Sequence, residues 1–207
     1  SGSKRNISAH YDLGNAFYRE WLDPSMTYSS ALFADGANDL ESAQKAKYLA
    51  LLRDIAAKPG DHILEIGCGW GGFAEEAAKF GCKVTGLTIS REQHEFATAR
   101  MKKAGLDQLA SIKFQDYRDE RGIYDHVVSI EMFEAVGEKH WPIYFSALRD
   151  RLKPGGKAGL QIITINADVF ESYKKRPDFI QAYVFPGGML PTPQHLPALP
   201  ASSPFRP

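Results

Sequence analysis

The sequence predicts an α/β fold in which a doubly wound, mostly parallel sheet carries helices on both faces. Short apolar segments alternate with helix-length segments along the middle of the chain, which is typical of strand–helix–strand units. A glycine-rich turn joins the first of these strands to the following helix. In addition, a chain of 207 residues with 43% hydrophobic and 24% charged residues is able to bury one sizeable core.

The elements before the glycine-rich turn are a mixed segment and one helix. Aromatic side chains alternate with turn-forming residues up to Ala34, which indicates short helices and loops that pack on a larger domain. Asp39 then stands in the N-cap position of a helix that ends at the Lys-Pro-Gly sequence of residues 58–60. The apolar residues that define this helix are Leu40, Ala43, Leu49, Leu52 and Ile55. Residues 1–38 are therefore predicted to cap the functional site.

From residue 62 onward, predicted strands and helices alternate. The apolar strand 62–66 enters the glycine-rich turn 67–72, and an alanine-rich helix follows at 73–80. The remaining predicted elements are strand 83–87, helix 91–104, strand 111–115, strand 126–130, helix 140–152 and strand 157–165. This order predicts a core domain at residues 39–187. Prolines then recur without apolar periodicity, so residues 188–207 are predicted to form an irregular tail, extended or disordered.

Charge and cysteine content argue against several classes of protein. Because 25 basic residues cancel 25 acidic ones, no global field draws the chain to nucleic acid. Cys68 and Cys82 lie in apolar segments, which favours a reducing cytoplasm over a disulfide framework, and no zinc-binding spacing is present. No apolar run approaches the roughly 20 residues of a membrane-spanning helix. The start of the chain lacks the apolar core of a signal peptide.

The glycine-rich turn is the first candidate binding site, because backbone and helix amides at such a turn can approach a ligand. Residues 67–72 fit the pattern G-x-G-x-x-G literally, so NAD is one alternative. Glu65 favours S-adenosylmethionine instead, since a carboxylate there would face the ammonium group of that cofactor and repel a pyrophosphate. The next strand ends without an acidic residue to hold a ribose and leaves Thr88, Ser90 and Gln93 as neutral candidates.

Several ordered motifs resemble those of one known family. They lie at residues 10–15 (HYDLGN), 23–29 (DPSMTYS), 64–72 (LEIGCGWGG), 115–119 (QDYRD), 129–134 (SIEMFE) and 179–188 (FIQAYVFPGG). Together they resemble the cyclopropane-fatty-acyl-phospholipid synthase family, which includes mycolic acid cyclopropane synthases and uses S-adenosylmethionine. The resemblance extends from about residue 6 to residue 192 and implies a Rossmann-like methyltransferase sheet that lacks its C-terminal strands in this chain.

The resemblance implies a specific reaction on a lipid. A methyl group passes from S-adenosylmethionine to a cis double bond of a phospholipid acyl chain, and loss of a proton from that methyl group closes a three-membered ring. Because an alkene is a poor nucleophile, the reaction needs a dry apolar groove that holds alkene and methyl in line, and a positioned base. Unsaturated phospholipid acyl chains are thus the expected partner, with peripheral contact to the inner face of the membrane and a possible homodimer.

The resemblance also implies residues for the reaction. In this family the base is a bicarbonate ion, and the matching catalytic candidates are Ser30, Glu134, Gln161 and, for a backbone amide, Ile163. Ser30 departs from the family, in which cysteine is commoner at this position. The tyrosine that completes the bicarbonate site has no counterpart that we identify here. Glu131 has two interpretations, since it either reaches the site or bonds a neighbouring amide.

Cofactor-binding residues are carried over by motif position. Tyr28 and Ser29 are expected near the methionine end of S-adenosylmethionine, and Gly67 and Gly69 beneath it. Thr88 and Gln93 are expected near the ribose, and Asp116 and Tyr117 at the edge of the adenine. Two other functions stay open: a methyltransferase that alkylates a carbon of the fatty acid and makes methyl-branched or furan-type products, and a truncated domain that binds the cofactor without turnover.

Overall fold

Five strands form one parallel sheet in the computed structural model. The structure describes residues 14–34, 36–176, 178–184 and 187–197. The strands are β1 (His62–Ile66), β2 (Lys83–Thr88), β3 (Ala110–Phe114), β4 (Tyr124–Ile130) and β5 (Leu152–Gln161). Their order across the sheet is β3-β2-β1-β4-β5, and each neighbouring pair is parallel. Strand order reverses between β1 and β4, which is where a doubly wound sheet binds its ligands.

Six α-helices are described. They are α1 (Asn15–Arg19), α2 (Leu40–Asp54), α3 (Gly72–Lys79), α4 (Arg91–Lys103), α5 (Trp141–Asp150) and α6 (Ala167–Lys175), of which α3, α4 and α5 connect strands. Shorter 3-10 turns lie at Tyr117–Asp119, Phe133–Ala135 and Glu138–His140, and a π-helical turn lies at Ile180–Val184. Within the described ranges, no helix combines the length and the apolar character that crossing a bilayer requires. The predicted doubly wound α/β fold is confirmed.

The two faces of the sheet are buried by different helices, because successive residues of a strand point to opposite sides. Ile63 and Val128 belong to a core cluster with residues of α2 and α3. Leu64 and Val127, their neighbours along β1 and β4, belong to a second cluster with residues of α5. Burial on both faces explains why these strands are continuous apolar runs in the sequence.

Helix α2 begins where the sequence predicts. The Asp39 side chain accepts a hydrogen bond from the Ser42 amide at 2.7 Å, and the Ser42 hydroxyl accepts one from the Asp39 amide at 3.3 Å. The predicted apolar face is only partly correct, since Leu40 and Leu49 are 40% and 38% exposed. The buried residues of α2 are Ala43, Gln44, Lys47, Tyr48, Leu51 and Leu52. The buried face therefore includes two polar side chains.

The last predicted strand, 157–165, is shifted in the structure. Strand β5 begins earlier, at Leu152, and ends at Gln161. Beyond that point the backbone amides leave the ladder: Ile163 donates to the Glu134 side chain, and Ile165 donates to the carbonyl of Pro191. The apolar residues after Gln161 therefore continue as an irregular segment beside the end of β4.

The two ends of the described chain both pack on the domain. Near the N-terminus, Tyr18 and Met26 form a buried cluster with Trp70 of the glycine-rich turn. The part of the predicted tail up to residue 197 is packed rather than disordered, because Thr192 is only 4% exposed and the His195 ring lies 4.8 Å from that of Phe170. Most of the motif at 10–15, including His10, lies outside the described residues.

Candidate functional site

The glycine-rich turn lies where the carboxyl ends of β1, β2 and β4 meet. Gly67, Gly69 and Gly71 have φ angles of 78°, 53° and 86°, a backbone conformation that favours glycine. A Cβ atom at Gly67 would lie 2.9 Å from Cγ of Met132, whereas a Cβ at Gly69 would meet no described atom within 4 Å. A ligand can therefore approach the backbone at Gly69, beside the N-terminus of α3.

Thr88 and Gln93, predicted near a ribose, are in direct contact. The Thr88 hydroxyl at the end of β2 donates to Oε1 of Gln93 at 2.8 Å and accepts from the Ser90 amide at 3.1 Å. All three side chains are buried. The Ser90 hydroxyl in turn accepts from the Gln93 amide and caps α4. This network fixes a pair of neutral polar groups beside the glycine-rich turn.

Asp116 and Tyr117, predicted at the edge of an adenine, follow β3. The Asp116 carboxylate accepts hydrogen bonds from Nε and a terminal nitrogen of Arg118, at 2.9 and 2.6 Å. The Tyr117 ring packs against that of Tyr144 with centroids 5.7 Å apart. The amide of Gln115 donates to the carbonyl of Thr88 at 2.9 Å, which places this segment beside the ribose candidates.

Glu65 does not lie in an open position. Its side chain is 3% exposed and lies near the charges of Lys47 and Arg100 and the Ala74 amide. Burial raises the pKa of Glu65 to about 8, against the opposing effect of Lys47 and Arg100. Its Oε2 has no hydrogen-bond partner among the described residues. The contact of Glu65 with a cofactor ammonium group stays a prediction.

Replacing Glu65 with glutamine is expected to change how stability depends on pH. A carboxyl group with a folded-state pKa of about 8 keeps a proton that the unfolded state loses above its ordinary value of 4.5. The free energy of unfolding should therefore fall by at least about 1 kcal/mol as pH rises from about 5 to about 7. Urea unfolding at several pH values measures this slope, which should flatten in Glu65→Gln. An equal slope in both proteins would contradict the assignment.

Segment 28–30 is held by polar side chains of α2. Nζ of Lys47 donates to the Ser29 hydroxyl at 2.6 Å and to the carbonyl of Ser30 at 2.9 Å. Nε2 of Gln44 donates to the carbonyl of Ser29 at 2.7 Å. Lys47 is only 5% exposed, and burial lowers its pKa to about 8. Ser29 and Ser30 are thus tied to α2 by buried groups.

Glu131 collects three hydrogen bonds from distant parts of the chain. Its Oε1 accepts from the Ser30 amide at 2.9 Å, from the Ser30 hydroxyl at 2.7 Å and from Nε2 of Gln161 at 2.8 Å. The Gln161 side chain also donates to the carbonyl of Ser30 at 3.2 Å. Of the two interpretations of Glu131, the structure therefore supports the one in which it reaches the site. We call Ser30, Glu131 and Gln161 the Glu131 cluster.

Glu134 and Ile163 pair beside the Glu131 cluster. Oε1 of Glu134 accepts a hydrogen bond from the Ile163 amide at 2.5 Å. The other oxygen, Oε2, is buried and has no hydrogen-bond partner among the described residues. Burial raises the pKa of Glu134, and the nearby charge of Glu131 raises it further. The four predicted catalytic residues thus lie together at the carboxyl ends of β4 and β5.

Comparison with known protein families shows which family this chain belongs to. The family model for mycolic acid cyclopropane synthetase matches residues 2–203. The chain belongs to this family. Among solved structures, a mycolic acid cyclopropane synthase complexed with SAH and CTAB superposes with a TM-score of 0.89 at 28% identity, over 98% of this chain and 75% of that one. The family model and this superposition therefore each cover nearly the whole chain.

Curated relatives in this family include two named activities. A tuberculostearic acid methyltransferase of Mycobacterium tuberculosis is 41% identical over 199 residues, which are 93% of this chain and 47% of that protein. A cyclopropane-fatty-acyl-phospholipid synthase of Escherichia coli is 41% identical over 189 residues, or 88% of this chain and 46% of that protein. The chain thus spans about half the length of the curated relatives it matches.

A bicarbonate ion, which the family resemblance implied, does not fit the residues of this chain. The Ser30 amide and hydroxyl and Nε2 of Gln161 all point to the Glu131 carboxylate. The Ile163 amide is bonded to Glu134. Because side-chain carboxylates already take the donors that a small anion would need, we correct that prediction and route no step through bicarbonate.

Sequence reasoning misses Lys47 as a site component and leaves the role of Glu131 open. Lys47 lies on a helix whose sequence is rich in charges, and only its contacts with Ser29 and Ser30 show that it is buried. Glu131 has a φ angle of 46°, which is unusual for a residue other than glycine. Its place three residues before Glu134, in the same motif, is the sequence signal that made it a candidate.

Proposed function

We propose that this chain binds S-adenosylmethionine at the glycine-rich turn and supports transfer of its methyl group to a cis double bond of a phospholipid acyl chain. The observation that carries the proposal is the open approach to Gly69 beside the strand end that holds Glu131 and Glu134. A cofactor at the turn would place its sulfonium next to these carboxylates. The family membership and the SAH-bound neighbour support the same cofactor.

The residues present fit this cofactor. Gly67 and Gly69 would carry its methionine part, with Tyr28 and Ser29 of the cap segment against the same end. The buried Thr88–Gln93 pair supplies neutral hydrogen-bonding groups suited to ribose hydroxyls. Asp116 and Tyr117, next to that pair, would bind the adenine. When bound, the cofactor supplies an electrophilic methyl group on a positively charged sulfur.

The acyl chain would lie on apolar side chains beside the Glu131 cluster. Leu32 is two residues beyond Ser30, and Ile163 is two residues beyond Gln161; they are 40% and 43% exposed. A surface of this kind excludes water from the double bond and holds it near the transferred methyl group. The negative charges of Glu131 and Glu134 would favour the positive charge that develops on the acyl chain.

A second product is supported by the residue at position 30. Ser30 replaces the commoner cysteine and donates to Glu131, and two of the relatives carry the name 'probable fatty acid methyltransferase'. In this alternative the first step is the same, but after a hydride shift the intermediate loses a proton to leave a methylene branch in place of a ring. Conversion of that branch to a methyl branch would need a separate reductant that supplies two electrons. The two products share a cofactor and a substrate class and differ in the fate of the intermediate.

Contact with a phospholipid surface would use the exposed π-helical turn and its neighbour. Phe179, Ile180 and Tyr183 are 68%, 50% and 76% exposed. Aromatic and aliphatic side chains of this kind insert into the boundary between headgroups and acyl chains. We propose peripheral binding through this turn. The cytoplasmic location, the homodimer and the division into segments 1–38, 39–187 and 188–207 stay predictions.

The function is tested with purified protein, S-adenosylmethionine and vesicles of monounsaturated phospholipid. Mass spectrometry of the acyl chains should show a gain equal to one methylene group, matched by release of S-adenosylhomocysteine. Vesicles of saturated phospholipid serve as the control. Mild catalytic hydrogenation then distinguishes the products: a cyclopropane ring takes up no hydrogen, whereas a methylene branch is reduced. Absence of any mass gain above the saturated control would refute acyl-chain transfer.

A further inference from the structure

The Glu131 carboxylate is surrounded by hydrogen-bond donors of the kind that bind a small anion. One oxygen accepts a backbone amide, a hydroxyl and a side-chain amide, and these donors come from residues 101 and 30 positions away in the chain. Three hydrogen bonds to one oxygen fix the carboxylate in a single orientation. Its other oxygen receives no hydrogen bond from the described residues.

The backbone at Glu131 is also unusual. Its φ angle of 46° costs a residue with a side chain about 1 kcal/mol relative to glycine. The conformation is held by the Glu131 amide, which donates to the carbonyl of Gln161 at 2.9 Å. Strain of this kind persists where the surrounding structure imposes it, and it is commonest at functional sites. Here it turns a carboxylate from the end of β4 toward Ser30.

A second anion at this position would be unfavourable. Glu131 and Glu134 are close enough that the charge of the first raises the pKa of the second. Nζ of Lys47 donates to the carbonyl of Ser30, and the negative charge of Glu131 partly offsets the lowering of the Lys47 pKa by burial. A mobile bicarbonate would add a third negative charge and would have to displace a tethered carboxylate from its three donors.

We propose that Glu131 is the resident base of the transferase, in place of a bound bicarbonate ion. This inference rests on the proposed function. The alkene electron pair forms a bond to the methyl carbon as the carbon–sulfur bond breaks and its electrons stay on sulfur. Glu131 then takes one proton from the added methyl group. The released C–H electron pair closes the ring or, after a hydride shift along the chain, forms a methylene group.

Two variants of Glu131 distinguish a role as base from a structural role. Glu131→Gly removes the carboxylate and relieves the positive φ, so folding is preserved. Glu131→Gln keeps the size and an acceptor oxygen for the same donors. Ala56→Gly is the matched control, because Ala56 has a φ angle of 55° and lies at the end of α2. In bicarbonate-free buffer, both Glu131 variants should lose at least about 100-fold in rate, while the control and the unchanged protein keep full activity.

Added bicarbonate distinguishes a base from a structural residue. It should restore Glu131→Gly, which leaves an empty anion position, and should not restore Glu131→Gln, whose amide fills that position. A requirement of the unchanged protein for bicarbonate, retention of the rate in either variant, or failure of bicarbonate to restore Glu131→Gly would each overturn the proposal.

A binding measurement keeps the proposal separate from the proposed function. Carbon-13-labelled bicarbonate is titrated with the protein and followed by NMR line broadening, which needs no turnover. Saturable broadening is expected with Glu131→Gly and not with the unchanged protein. Saturable binding to the unchanged protein would overturn the replacement of bicarbonate by Glu131. Lack of turnover in the unchanged protein would instead refute the proposed function, and the binding result would still decide the anion question.

Discussion

Replacing Glu134 with glutamine is expected to lower the rate of acyl-chain transfer by about 10²- to 10³-fold. The substitution removes a negative charge beside the position where the acyl chain becomes positive. It keeps an acceptor oxygen for the Ile163 amide, so the end of β5 stays in place. Affinity for S-adenosylmethionine should be nearly unchanged. Initial rates with phospholipid vesicles and calorimetric titration with the cofactor measure the two quantities separately.

Glu138→Gln is the matched control for this prediction. Glu138 lies four residues further on in an exposed 3-10 turn, where it pairs with Lys174 at 2.5 Å on the surface. The same change of charge there should leave the rate unchanged, because a surface ion pair contributes little. An unchanged rate in Glu134→Gln, or a loss explained by weaker cofactor binding, would remove Glu134 from the reacting part of the site.

Replacing Gly69 with alanine is expected to weaken S-adenosylmethionine binding by at least about tenfold, which corresponds to about 1.4 kcal/mol. A Cβ atom at this position has no described neighbour within 4 Å, so it would project into the space where the cofactor approaches the backbone. Calorimetric titration gives the affinity, and urea unfolding of the same variant gives the accompanying change in stability.

Gly105→Ala separates cofactor contact from backbone strain. Gly105 follows α4 with a φ angle of 69°, and a Cβ atom there also meets no described atom within 4 Å. Both alanine variants should therefore lose about 1 kcal/mol of unfolding free energy, but only Gly69→Ala should lose cofactor affinity. Equal affinity in the two variants would place the cofactor away from the glycine-rich turn.

The architecture was predictable because burial on both faces makes the strands visible in the sequence. Ile63 and Leu64 face opposite core clusters, and the resulting apolar run marks β1 without any reference to distant residues. The end of β5 was not predictable in this way. Ile163 and Ile165 continue the apolar pattern, yet their amides bond to Glu134 and Pro191, which are brought near only by the folded chain.

The candidate site was predictable as a set of residues and not as an arrangement. Motif positions indicated Ser30, Glu134 and Gln161, and these do lie together. Ser30 and Gln161 are joined by hydrogen bonds to Glu131. The orientation of Glu131 depends on its positive φ angle and on these donors, which are distant from it in sequence. Local pattern carries no information on such contacts. Likewise, Lys47 is buried because segment 28–30 lies on α2, which no property of the helix itself indicates.

The fate of the transferred methyl hydrogens tests the central claim most directly. S-adenosylmethionine with a fully deuterated methyl group is supplied to the protein with unsaturated phospholipid, and the acyl products are analysed by mass spectrometry. Methyl transfer followed by proton removal at Glu131 predicts a product that retains two of the three deuterium atoms and releases one to solvent. Retention of all three would show that the added methyl group is never deprotonated, which would contradict the account.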